Sequence, residues 1–150
     1  MTARLNATAA APDAVKAMMA LETYVQGCGL EKSLIELVKM RASQINGCAF
    51  CLDMHSRDAR AAGETEQRLY VLPAWRETML FDARERAALA WTEALTLIAE
   101  THAPDDVYEQ AHGQFSDSEL TKLTLLIGTI NVWNRIAIGF RMPIPLAKAA

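Results

Sequence analysis

Apolar residues recur three and four positions apart through most of the chain. Between Pro12 and Val25 they fall at Val15, Met18, Met19, Leu21 and Val25, and between Glu31 and Ile45 at Leu34, Leu37, Val38 and Ile45. That spacing lines one face of an α-helix. Proline at position 12 suits a first helical turn, while Gly27-Cys28-Gly29 and Asn46-Gly47 are stop signals. The pattern predicts a third helix over 48–62, closed by Gly63, and a short one over 65–72 that ends at Pro73. Asp82 with Glu85, and Ser116 with Glu119, have the spacing of capping boxes. They open a helix reaching about Thr101 and a last one carrying Leu120, Leu123, Leu126, Ile127 and Ile130 on to about Ile138, with a helix from Pro104 to about Gln114 between them. No segment alternates with period two for long enough to be a strand, and no repeat or linker divides the chain. The expected fold is therefore all-α, a single domain over 1–150, with the Ala/Thr-rich residues 1–11 as a mobile arm.

Composition narrows the function classes. The 150 residues are 51% hydrophobic and 22% charged with a net charge of -3, which excludes a disordered chain and argues against a basic nucleic-acid binder. The most membrane-like stretch, 123–140, is interrupted by Asn131, Asn134 and Arg135. An arginine at mid-membrane costs about 2.5–3.5 kcal/mol on insertion scales, so the stretch reads as a buried helix rather than a span. The first residues lack the apolar run of a secretory signal, and the expected location is the cytoplasm. Apolar helices this uninterrupted expose more surface than a monomer tolerates, so a homo-oligomer is expected, a trimer or a dimer of trimers.

The three cysteines, Cys28, Cys48 and Cys51, are an odd number for a disulfide framework and suit a reactive or metal-binding pair better. Cys48, Cys51 and His55 are spaced i, i+3, i+7, which stacks them along one helix face. Cys48 falls at the helix N-terminus, where free N–H groups and the dipole favour a thiolate, and Cys-x-x-Cys spacing lets two thiols close a disulfide across one turn. Glu36 can join them. If the second and third helices are antiparallel about Asn46-Gly47, Glu36 lies about 10.5 residues back and His55 about 8.5 forward, so their heights differ by only about 3 Å. A Glu–His pair there supplies a base and its orienting partner for Cys51 one turn below. The helix terminus favours Cys48 as thiolate and the nearness of His55 favours Cys51 as the thiol that attacks; the balance falls to Cys51. A zinc site made from Cys48, Cys51, His55 and Glu36 is the chemical alternative.

A Glu, eleven residues, Cys-x-x-Cys, three residues and a His resembles the signature of the AhpD-like alkylhydroperoxidases of the carboxymuconolactone decarboxylase superfamily. The context Leu37 to Cys48, the run His55 to Gly63 and the late Ile130-Asn131-Val132-Trp133-Asn134-Arg135 are similar to the same family, over roughly Leu21 to Met142. The resemblance implies an AhpD-like helical bundle, trimeric or hexameric assembly, and reduction of hydroperoxides. Cys48 and Cys51 match the redox pair and Glu36 and His55 the proton relay. No cofactor is implied beyond an external dithiol reductant, such as a lipoyl or thioredoxin-like protein. In the family's better-known peroxidases the position before the second cysteine can be a histidine; here it is Phe50. A non-enzymatic redox sensor or assembly subunit is the reading from another class. The decarboxylase or lactone chemistry of the superfamily's name is the other enzymatic one, carried by members that generally lack the cysteine pair.

Other residues have plainer readings. Cys28 reads as a half-buried inert thiol, His102 and His112 as surface or capping residues, and Asp53 with Arg57 as a salt-bridging or interface pair. The Met residues, Trp91 and Trp133 read as core or interface material. Asn131, Asn134 and Arg135 need partners if buried, and bridging to a neighbouring helix is favoured over substrate contact.

Overall fold

A computed structural model describes residues 2–145, and among them the fold is all-α with no strand. The helices are α1 (Ala7–Ala10), α2 (Pro12–Gln26), α3 (Lys32–Asn46), α4 (Ala49–Ala61), α5 (Glu66–Val71), α6 (Ala83–Thr96), α7 (Ile98–Thr101), α8 (Asp105–His112) and α9 (Asp117–Phe140), with a 3-10 turn over Leu72–Glu77 after α5. Both capping boxes form. The Glu85 N–H donates to Asp82 Oδ1 at 2.8 Å and the Asp82 N–H to Glu85 Oε2 at 2.9 Å. Ser116 and Glu119 repeat the arrangement at the start of α9. Such caps contribute about 1 kcal/mol each to a helix start.

α3 is the central element and packs against α4, α6 and α9. It buries Leu34, Ile35, Leu37, Val38, Met40 and Ala42. On α9 the same is true of Leu123, Leu126, Ile127 and Ile130, each worth about 1.5–3 kcal/mol against leaving it in water. α9 has the length and composition of a membrane-crossing helix, yet its packing is that of a core helix, against α2, α3, α4, α6 and α8. A small third cluster of Ala42, Cys48, Cys51, Ile130 and Ala137 joins the end of α3, the start of α4 and the middle of α9. It is this junction that holds the cysteines.

The structure departs from the sequence pattern in three places, the first being α1, a short helix capped by Asn6 within the residues expected as an arm. The helix expected from Asp82 to about Thr101 breaks at Leu97 (φ -99, ψ 33), and the Thr101 hydroxyl turns back to donate to the Ala94 carbonyl at 2.7 Å. A side-chain donor to the backbone competes there with continued helix. The helix expected over 65–72 stops as an α-helix at Val71 and tightens into the 3-10 turn, because Pro73 has no N–H to give. At the N-terminal arm, the Arg4 N–H donates to the Phe140 carbonyl at 2.9 Å and its guanidinium to the Gly139 carbonyl at 3.2 Å.

Candidate functional site

Gly47 sets the geometry. It ends α3 with φ 67 and ψ 34, and its N–H and that of Cys48 return to the Gln44 and Ser43 carbonyls. A side chain in that left-handed conformation costs about 1–2 kcal/mol, which glycine avoids. The turn reverses the chain and lays α4 antiparallel along α3. His55 Nδ1–H then donates to Glu36 Oε2 at 2.9 Å. With Nδ1 so engaged, Nε2 is left as the ring's acceptor, the tautomer a base requires.

Cys48 is the N-cap of α4 rather than its first turn, with an extended backbone (φ -85, ψ 93). Cys51 lies one turn further on. Both are buried, with relative exposures of 1% and 2%, and both are reduced. The strongest influence on each thiol is the other thiol. The Cys48 thiol is lowered to about 6, foremost because Cys51 donates to it; burial opposes this, and the Cys51 and Phe50 N–H groups and the Asn134 side chain assist. Cys51 is pushed up by the same bond to Cys48, by burial and by the adjacent charge. The interaction thus favours the charge on Cys48 and the proton on Cys51.

Asn134, fully buried on α9, ties the pair to the scaffold. Its Nδ2 donates to Ser43 Oγ at 3.0 Å, its Oδ1 accepts from Asn46 Nδ2 at 2.8 Å, and its side chain favours the thiolate form of both cysteines. Asn131 Oδ1 accepts from Asn46 and Arg135, while its Nδ2 donates to Thr96 Oγ1 at 3.1 Å. The two asparagines that interrupt α9 therefore bridge helices, while Arg135 bonds back to Asn131 on its own helix.

A cavity of about 330 Å³ opens beside Cys51 and His55, walled by Phe50, Met54, Met19 and Trp133, with Glu22 and Asp58 as its acidic side chains. Cys48 is not on its wall. Phe50 gives this wall an apolar surface where a histidine would offer a polar one. Glu22 is a functional residue that the sequence reading missed. It pairs with Lys39, which is fully buried, and accepts from Trp133 Nε1 at 3.1 Å and Gln26 Nε2 at 3.0 Å. Burial works against its charge, yet these bonds and the Lys39 charge hold the carboxyl below its ordinary range. The available signal was Lys39 itself, a cation in the apolar run Leu37-Val38-Lys39-Met40, which can be buried only with a partner.

Among the described residues, the acidic and histidine groups whose donor atoms converge within 4.8 Å are those of Glu36, His55 and Asp58. They could hold a divalent ion. Neither cysteine belongs to this group, so the four-residue zinc set of Cys48, Cys51, His55 and Glu36 is not the one that converges. Asp53 and Arg57 pair on the surface at 2.6 Å, and Cys28 is half-buried away from the site.

The chain matches the carboxymuconolactone decarboxylase family over residues 12–94. It is 43% identical over 139 residues to the uncharacterized protein YdfG of Bacillus subtilis, covering 93% of this chain and 95% of the relative. The crystal structure of ATU0492 from Agrobacterium tumefaciens, a protein of unknown function named for antioxidant defence and AhpD, superposes with a TM-score of 0.95. It is 51% identical, with 97% of this chain and all of that one covered. A shorter match joins the chain to alkyl hydroperoxide reductase AhpD of Bradyrhizobium diazoefficiens, 44% identical over 41 residues, or 27% of this chain and 22% of that one.

Proposed function

The chain belongs to the carboxymuconolactone decarboxylase family, and from that premise we propose that it is a thiol-dependent peroxidase that reduces hydroperoxides with Cys48 and Cys51. One observation carries the reading: Cys51, one helical turn from Cys48, lines a cavity that also presents His55, which is paired with Glu36. The AhpD-named relatives support the general class, peroxidase-related chemistry.

In the proposed cycle the Cys51 proton passes to His55 Nε2, and the Cys51 sulfur attacks the peroxide oxygen. The O–O bond breaks, Cys51 becomes a sulfenic acid, and the alkoxide leaves as alcohol with a proton returned by His55. Cys48 then attacks the Cys51 sulfur, forming the disulfide and releasing water. One thiolate, one thiol, one hydroperoxide and one proton from solvent give one disulfide, one alcohol and one water. Glu36 holds the ring in the tautomer that accepts a proton at Nε2. An external dithiol, lipoyl or thioredoxin-like, restores the pair.

The test is multiple turnover of cumene hydroperoxide with dihydrolipoamide as reductant. Turnover that is lost in Cys48→Ser and Cys51→Ser supports the peroxidase. A single stoichiometric oxidation without turnover would move the protein to the class of redox sensors.

A further inference from the structure

Among the described residues, two acids and no Lys or Arg line the cavity beside Cys51. Lys39, the cation paired with the lining residue Glu22, has a relative exposure of 1%, and Glu22 is itself fixed by Gln26 and Trp133. His55 is engaged by Glu36. Asp58 is exposed, makes no ion pair among the described residues, and has its carboxylate within 4.8 Å of the Glu36 and His55 donor atoms. An entering carboxylate would lose its hydration against Phe50, Met54 and Trp133, find no available cation, and face Asp58. An uncharged solute meets only the first of these surfaces, where it is favoured, and soft methionine side chains adapt to its shape.

We infer that this cavity is a binding site for uncharged, apolar substrates and excludes carboxylate-bearing ones, with Asp58 as the residue that rejects them. This rests on the reading of Cys51 as the thiol that meets substrate. Alkyl and aryl hydroperoxides fit; hydroperoxides carrying a carboxylate, and the carboxylated lactone of the family's name, do not. The same selection applies to the reductant, so an uncharged dithiol amide is preferred over a free dithiol acid.

The rule can be tested without peroxidase activity, using two alkylating agents of nearly equal size, uncharged iodoacetamide and anionic iodoacetate. Each forms an S–C bond to Cys51 as its proton passes to His55, and expels iodide. The reduced protein is treated with each at neutral pH and the labelled cysteines are mapped by peptide mass spectrometry, with Cys28 as internal reference. The iodoacetamide-to-iodoacetate rate ratio at Cys51 is expected to exceed that at Cys28 by on the order of tenfold, to fall in Asp58→Asn, and to shrink at high salt. Equal ratios at the two cysteines, a ratio unmoved by Asp58→Asn, or labelling of Cys48 in place of Cys51 would each overturn the inference. Failure of peroxide turnover with this ratio intact would instead remove the peroxidase reading and leave the charge selection standing.

Discussion

His55 Nδ1 lies 2.9 Å from Glu36 Oε2, across the turn that Gly47 makes between α3 and α4. The contact fixes the imidazole by its far nitrogen and leaves Nε2 for proton transfer at the cavity that Cys51 lines. Replacing Glu36 with Gln keeps a group of the same size but removes the anionic acceptor. Thiol oxidation by peroxide should slow by roughly 10- to 1000-fold, the scale of general-base contributions, with an unchanged thermal unfolding curve. Equal rates for wild type and variant across pH 6 to 8 would refute the relay.

This contact was legible in the sequence, and the reason is physical. Once Asn46-Gly47 is read as a tight reversal, helical rise alone brings Glu36 and His55 to one height. The capping boxes at Asp82 and Ser116 were legible for a similar reason, since each rests on side chains three residues apart. The Glu22–Lys39 pair was not, because it joins two helices whose relative rotation is decided by packing. Nor was the break at Leu97, where apolar periodicity runs on through Ile98 while Thr101 bonds back to Ala94. The spacing argument placed the attacking role on Cys51 from its nearness to His55. The electrostatics of the pair favour the charge on Cys48, the choice that the helix terminus had suggested.

The thiol pair carries a pH signature. Ultraviolet titration of the reduced protein should show one thiolate appearing with a midpoint near 6, set by Cys48. Cys51→Ala removes the donating thiol, so the midpoint should move up toward the ordinary 9.0. Because the folded value lies below the unfolded one, this group's stabilisation is complete above about 9 and is lost as pH falls through 6. Unfolding free energy of the reduced protein should therefore gain a contribution that rises between those limits and disappears in Cys48→Ala. A midpoint near 9 in the wild type would contradict the assignment.

The buried pair of Glu22 and Lys39 predicts an asymmetry between single and double variants. Glu22→Leu leaves the Lys39 charge buried without a partner and should cost about 3–5 kcal/mol in chemical denaturation. Glu22→Leu combined with Lys39→Met removes both charges and should recover most of that loss. If the single variant loses less than about 1 kcal/mol, Lys39 has found solvent or another partner.

On α9, Leu125, Val132 and Ile138 are exposed along the helix that otherwise forms the core. Covering that face by self-association predicts a trimer or hexamer by light scattering, and Val132→Glu should shift it toward smaller species. A mass of 16.5 kDa at micromolar concentration would show that the chain is stable alone.

The central claim is that Cys48 and Cys51 form a redox pair driven by peroxide, and intact-mass and peptide mass spectrometry after one equivalent of hydroperoxide test it most directly. The account predicts two thiols lost per chain, a disulfide linking Cys48 to Cys51, Cys28 still alkylatable, a sulfenic acid trapped on Cys51 in Cys48→Ser, and full recovery of both thiols with dihydrolipoamide. Cys48 and Cys51 remaining reduced under those conditions, or protected by a stoichiometric zinc ion until a chelator is added, would contradict it.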